Sequence, residues 1–457
     1  MSDRAEFDPG SATDPQLFVL GRLAHLREFD FGDPDLPAWV IRLPLGEEPY
    51  EMSSDRIDRC IAGLVERGLV GRKGGDAGDG TADEPRYWAS DACMAAAESI
   101  RHELRARHPV PPDELAAQVL LFDAIRSPEG FDRDLLQACL EEPPGALTAD
   151  DAAKLYRRMM RDAWIFATKR PDNPLEWFPA PKAWAWRDGI AQALESRLPE
   201  MRARLVQGVA AQLQIAEGSP LHRALEAVDR AHFVPEPWRL LAYRKRPIPV
   251  ALREDGTGRT NTSSPDVCAI IAQTLELKQG DQVLICGVKG GYTAALCAHV
   301  VGPSGRVECL EDDPAVAEHA RQALARAGFD DRRARIHLVR DVTVGRESQQ
   351  QWDAAVVNGK VPKVPRAILK QMAAGGRLLI FLQEGDDRGQ TAYLIKMDGK
   401  AIRNQALSSF LFTPIFGEFG FDPPNWQENL ELVGATSIDV FISYSTRDQE
   451  SCSRIAE

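Results

Sequence analysis

The chain has 457 residues, 44% of them apolar and 27% charged, with a formal net charge of -13. That length exceeds one ordinary core and points to about three folding units, and the composition excludes a disordered or fibrous chain. The negative charge argues against generic affinity for nucleic acid or anionic membrane, since both need a basic surface, although a local basic face stays open.

The opening "MSDRAEFDPGSATD" is acidic and has no apolar run, unlike a signal peptide, and no stretch reaches the length of a membrane-spanning helix. A cytoplasmic protein with no membrane partner is expected. The eight cysteines are scattered, with no CxxC pair and no histidine at zinc-ligand spacing. Buried, reduced thiols are expected, and no metal site.

Residues 1–108 read as a winged-helix-like unit. "LFVLGRLAHLREF" puts Leu17, Leu20, Leu23 and Leu26 on one helical stripe. "SSDRIDRCIAGLVERGLVGRK" starts with Ser54 or Asp55 as cap and carries Ile57, Ile61, Leu64 and Val65 on one face. A hairpin follows, with Leu69 and Val70 entering its tip and Tyr87 and Trp88 leaving it. Its helix pairs Arg56, Arg59 and Arg67 with Asp55, Asp58 and Glu66, a nearly neutral face that favours a structural or protein-binding module over a nucleic-acid reader.

Residues 109–199 read as a second helical unit, possibly of the same plan. "ELAAQVLLFDAI" and "TADDAAKLYRRMMRDAWIF" are amphipathic helices, the second capped by Thr148. Trp177, Trp184 and Trp186 follow in a proline-rich stretch. Two roles are open to them: stacking bases beside Lys169, Arg170 and Lys182, or anchoring the loop to the core, the commoner use of large aromatics.

From residue 200 the pattern turns to alternating strands and helices, the mark of an α/β, doubly wound sheet. "DQVLIC" and "RVECLE" are strands, and "DPAVAEHARQALARAG" is a helix with Asp313 as cap, Pro314 at its first position and Gly328 as its stop. "ARIHLVRD", "WDAAVVN" and "GGRLLIFL" are further strands. A glycine turn after the first strand lets backbone approach a ligand, and an acid ending the second strand, here Glu311, suits a ribose hydroxyl.

Across about residues 220–420 the segments "VDRAHFVP", "AYRKRPIPV", "NTSSP", "VLICGVKGGYTAA" and "GGRLLIFLQ" occur in the order typical of the protein-L-isoaspartate O-methyltransferase family, which this stretch resembles. The resemblance implies a class I, Rossmann-like methyltransferase domain over 200–424. It implies S-adenosyl-L-methionine as cofactor and a protein or peptide aspartate or isoaspartate carboxylate as methyl acceptor. It assigns Ser263 to the acceptor carboxylate, Gly287 and Gly291 to the cofactor turn, Glu311 to the ribose and Asp341 to the region of the adenine. Capping roles for Ser263 and Asp341 remain as alternatives. The chain departs from the family where Ile285 replaces an acid and Lys289 replaces the middle glycine of the turn.

Residues 425–436 read as a linker. The stretch 437–457, "SIDVFISYSTRDQESCSRIAE", resembles the opening of a TIR domain through Asp439, Phe441, Ser443, Tyr444 and Asp448. It is expected to be loosely docked if the chain stops at Glu457. Two functions follow from these readings: a carboxyl methyltransferase whose N-terminal units select the substrate, or a catalytically degenerate methyltransferase fold acting as sensor or scaffold for a TIR-containing signalling or defence protein.

Overall fold

The computed structural model describes residues 9–28, 36–37, 52–73, 86–108, 110–126, 133–169, 175–252, 258–346, 351–383, 390–398 and 401–422. The linker-like stretch and the TIR-like segment lie outside the described residues. The chain divides into two compact units, Met1–Met201 and Arg202–Glu457.

In the first unit, the helix Asp14–Glu28 precedes strand β1 (Leu36–Pro37), and the helix Ser54–Glu66 leads into β2 (Val70–Lys73) and β3 (Arg86–Ala89). The three strands form one antiparallel sheet with β3 in the middle. The helix Ser54–Glu66 buries Ile57, Ile61 and Leu64 as its stripe requires, but its N-cap is Ser53. Asp14–Glu28 differs more: from Leu17 to Leu26 every residue is buried, Arg22 and His25 included. The reason is tertiary, because one core joins Leu17, Leu20 and Leu23 to Phe166, Phe178 and Trp184 far along the chain.

Those distant residues belong to the second hairpin, β4 (Ile165–Lys169) and β5 (Leu175–Pro179), and to the helix after it. Among the described residues, three helices lie between Leu115 and the hairpin: Leu115–Arg126, Arg133–Glu141 and Ala149–Arg161. Thr148 caps the last of them, its hydroxyl accepting from Asp151 N–H. Trp177 and Trp184 are core residues: Trp177 Nε1 donates to the Tyr156 hydroxyl at 2.9 Å and Trp184 Nε1 to Glu28 Oε2 at 2.7 Å. Neither ring is offered to a base.

In the second unit a hairpin, β6 (Ile248–Leu252) with β7 (Gly258–Thr262), precedes the main sheet. That sheet comprises β8 (Gln282–Cys286), β9 (Arg306–Glu311), β10 (Ala334–Leu338), β11 (Trp352–Val361), β12 (Met372–Gln383), β13 (Gln390–Asp398) and β14 (Ala401–Phe410). Its order is β10-β9-β8-β11-β12-β13-β14. The first five strands run parallel, and β13 and β14 add on as antiparallel neighbours. Val283 to Cys286 are wholly buried, as central parallel strands are. Strand order reverses between β8 and β11, and it is beyond the carboxyl ends at such a reversal that sheets of this kind bind ligands.

Trp184 is fully buried and bridges the two N-terminal segments. Trp184→Ala should therefore cost about 3–5 kcal/mol, read as a lowered urea midpoint by far-ultraviolet circular dichroism; a change below about 1 kcal/mol would deny the shared core.

Candidate cofactor site

The strand β8 passes into the helix Tyr292–Val301 through a turn that takes left-handed backbone three times: Gly287 at φ 88°, Lys289 at 53° and Gly291 at 87°. Glycine adopts this conformation freely. Lysine does not, and it costs about 1 kcal/mol at Lys289. Gly290 has a different reason for being glycine: a Cβ there would lie 2.7 Å from Thr262 Cβ and 3.2 Å from the Phe233 carbonyl. The turn is thus pressed against the loop that carries Ser263.

Glu311, at the end of β9, holds the turn from the other side. Its Oε2 accepts from Val288 N–H at 3.0 Å and Lys289 N–H at 3.3 Å, and its Oε1 from Asp312 and Asp313 N–H at 3.2 and 3.3 Å. Glu311 is 6% exposed. Burial and neighbouring Asp312 push its carboxyl up to about 7, against the opposing pull of the backbone N–H groups.

Ser263 is buried and is held through its carbonyl, which accepts from Arg230 Nη2 at 3.2 Å and from the Cys268 thiol at 3.7 Å. It does not cap the following helix; Ser264 occupies the N-cap position of Pro265–Thr274. Arg230 is the residue the sequence reading missed. Its guanidinium, 1% exposed, also donates to the carbonyls of Ala242 at 2.5 Å, Arg244 at 3.2 Å and Arg246 at 2.8 Å. One side chain therefore joins the "VDRAHFVP", "AYRKRPIPV" and "NTSSP" segments. Its presence in the first of them was the available signal, but the acceptors are backbone carbonyls, which no residue pattern marks.

Asp341 acts as a cap, at the N-terminus of the short helix Val342–Val344. Its Oδ1 accepts from Thr343 N–H at 2.7 Å and its hydroxyl at 2.6 Å, and its Oδ2 from Glu418 N–H at 2.7 Å. Ile415, in the segment that Asp341 anchors, packs on both Gly287 and Gly359. Asn358, within β11 and 1% exposed, donates from Nδ2 to the Gly287 carbonyl at 3.0 Å, while its Oδ1 is buried without a partner. Sequence reading passed over this residue because it looked like the last position of an apolar strand.

Lys289 is half-buried, with its Nζ 4.4 Å from the Phe412 ring centroid. Burial holds its ammonium down to about 8. Among the described residues, no group of three or more histidines, cysteines or acids is arranged to hold a metal ion, and no helix is long and apolar enough to cross a membrane.

A parallel sheet with its order reversed beside a left-handed glycine turn, and an acid at the end of the next strand, is the arrangement of a class I, Rossmann-like S-adenosylmethionine-dependent methyltransferase, here with a mixed sheet. A family profile for protein-L-isoaspartate(D-aspartate) O-methyltransferase matches residues 203–419. Protein-L-isoaspartate O-methyltransferase 1 of Archaeoglobus fulgidus is 31% identical over 224 residues, covering 49% of this chain and 97% of that protein. The Methanopyrus kandleri protein-L-isoaspartate O-methyltransferase is 34% identical over 224 residues, 49% of this chain and 94% of its own length. A solved protein-L-isoaspartate O-methyltransferase aligns at 23% identity with a TM-score of 0.43, over 48% of this chain and 67% of its own. The chain belongs to the protein-L-isoaspartate O-methyltransferase family through its second unit.

Two outcomes follow from this geometry. Arg230→Lys cannot reproduce a fork aimed at several carbonyls and should cost about 2–4 kcal/mol by chemical denaturation; a loss under about 0.5 kcal/mol would show that the loops hold themselves. Because the folded-state pKa of Glu311 lies above the ordinary 4.5, folding favours its protonated form, and that advantage disappears as pH rises through about 7. Measured against Glu311→Gln, the wild type should lose stability between about pH 4.5 and 7; parallel pH profiles would refute this.

Proposed function

We propose that the second unit is a carboxyl O-methyltransferase that uses S-adenosyl-L-methionine and acts on an aspartate or isoaspartate carboxylate in a protein or peptide. The observation that carries this reading is the contact between turn and loop, where Gly290 lies against Thr262, next to Ser263. Cofactor and acceptor elements thereby share one crevice.

The residues fit the cofactor in three respects. Gly287 leaves its half-buried backbone without a side chain, Glu311 borders the same turn, and Asn358 Oδ1 is a buried acceptor still lacking a donor. Glu311 would take the ribose hydroxyls in exchange for backbone N–H groups that it bonds in this structure, and Asp341 would border the adenine. The bound cofactor would supply a methyl group already activated by a sulfonium, so that an acceptor carboxylate oxygen would form the O–CH3 bond as the carbon–sulfur bond breaks and its electron pair leaves on the thioether sulfur. The protein's task is then alignment and exclusion of water, with no strong base required. Ser263, kept in place by Arg230, would hydrogen-bond the acceptor carboxylate and hold one oxygen in line with the methyl group.

The helix, strand, helix and hairpin order of the first unit supports a winged-helix-like module that selects the acceptor. A second reading, a catalytically silent sensor or scaffold serving a TIR effector, draws on one observation: Lys289 stands where the family has a glycine and its side chain lies over Phe412.

Calorimetric titration with S-adenosylhomocysteine and a methyl-ester assay on an isoaspartyl peptide test the enzyme reading. Micromolar binding and ester formation are expected. Ser263→Ala should lower turnover about 100-fold or more while leaving cofactor affinity within about twofold. Binding without methyl transfer to any carboxylate would favour the silent sensor.

A further inference from the structure

We propose that Lys289 is the carboxylate-binding cation of this site, engaging either the acceptor's carboxylate or the one on the methionine end of the cofactor. This inference rests on the methyltransferase reading above and names a contact the family's glycine cannot make.

Lys289 Nζ has no hydrogen-bond or ion-pair partner among the described residues; what it faces is the Phe412 ring, 4.4 Å from its centroid. An aromatic face is worth about 0.5–2 kcal/mol to a cation and leaves its N–H donors unused. Partial desolvation of an unpaired ammonium has a cost, and an anion of matching position offsets it.

The neighbours cannot serve as that anion. Cys268, which interacts electrostatically with Lys289, is a buried thiol whose proton is held more tightly than usual. Glu311, the other group it senses, already accepts from four backbone N–H groups. Cys268 Sγ is 3.7 Å from the Ser263 carbonyl, and Glu311 borders the turn on the proposed ribose side. Lys289 belongs to the turn that packs on the Ser263 loop: its N–H bonds Glu311, and the next residue, Gly290, lies against Thr262, which precedes Ser263. Both molecules that would meet there carry a carboxylate.

The test is calorimetry on the full chain and on Lys289→Met. The probes are S-adenosylhomocysteine, 5′-methylthioadenosine (which lacks the amino-acid end) and, with S-adenosylhomocysteine present, an isoaspartyl peptide and its amide. If the cofactor's carboxylate is the partner, the variant weakens S-adenosylhomocysteine about tenfold or more and spares methylthioadenosine. If the acceptor is the partner, the peptide weakens by a similar factor while its amide and both nucleosides are unchanged. Lys289→Arg should restore most of either loss.

Unchanged affinities for all four probes would overturn the proposal, as would tighter S-adenosylhomocysteine binding by the variant, which would make Lys289 an occluding side chain. If neither protein binds any nucleoside, the cofactor reading fails, and this assignment fails with it.

Discussion

Four backbone N–H groups converge on the Glu311 carboxylate, and the site depends on that convergence. Two come from the glycine turn and two from the residues after β9. A turn with left-handed backbone at Gly287, Lys289 and Gly291 has no regular ladder to stabilise it, so its N–H groups need an acceptor from elsewhere. Glu311 supplies one at the cost of burying a carboxylate. Its raised pKa expresses the same balance: desolvation outweighs the backbone hydrogen bonds.

On the other side of the turn, Arg230 organises the loop that carries Ser263. Its bonds to four carbonyls bring the stretch 242–246 and Ser263 together, and Gly290 then lets Thr262 approach the cofactor turn. A buried guanidinium is tolerable here because its donors are largely spent on carbonyls; only Nε is buried without a partner. This division suits a reaction whose electrophile arrives already activated. The protein contributes position, and position is set by two buried charged side chains acting on backbone.

Lys289 is the point at which local and tertiary requirements conflict. Its backbone keeps the path that a glycine would take, so the turn survives the substitution at a modest cost. The side chain then places its ammonium over the Phe412 ring. Strained or unspent groups of this kind gather at functional sites. Ile285, the other departure from the family pattern, is fully buried in β8.

The sequence by itself determined the order of strands and helices in the second unit, the glycine turn, the acid after it and the caps at Thr148 and Asp313, because each is encoded locally by periodicity, backbone freedom or a side chain bonding nearby N–H groups. Only the tertiary structure decided that Arg230 bonds carbonyls beyond its own segment, that Asp341 is tied to Glu418, that Asn358 retains an unpaired acceptor and that the first helix is buried on every side. Those facts depend on partners far along the chain and largely on main-chain atoms, which are the same in every residue and leave no trace in a residue pattern.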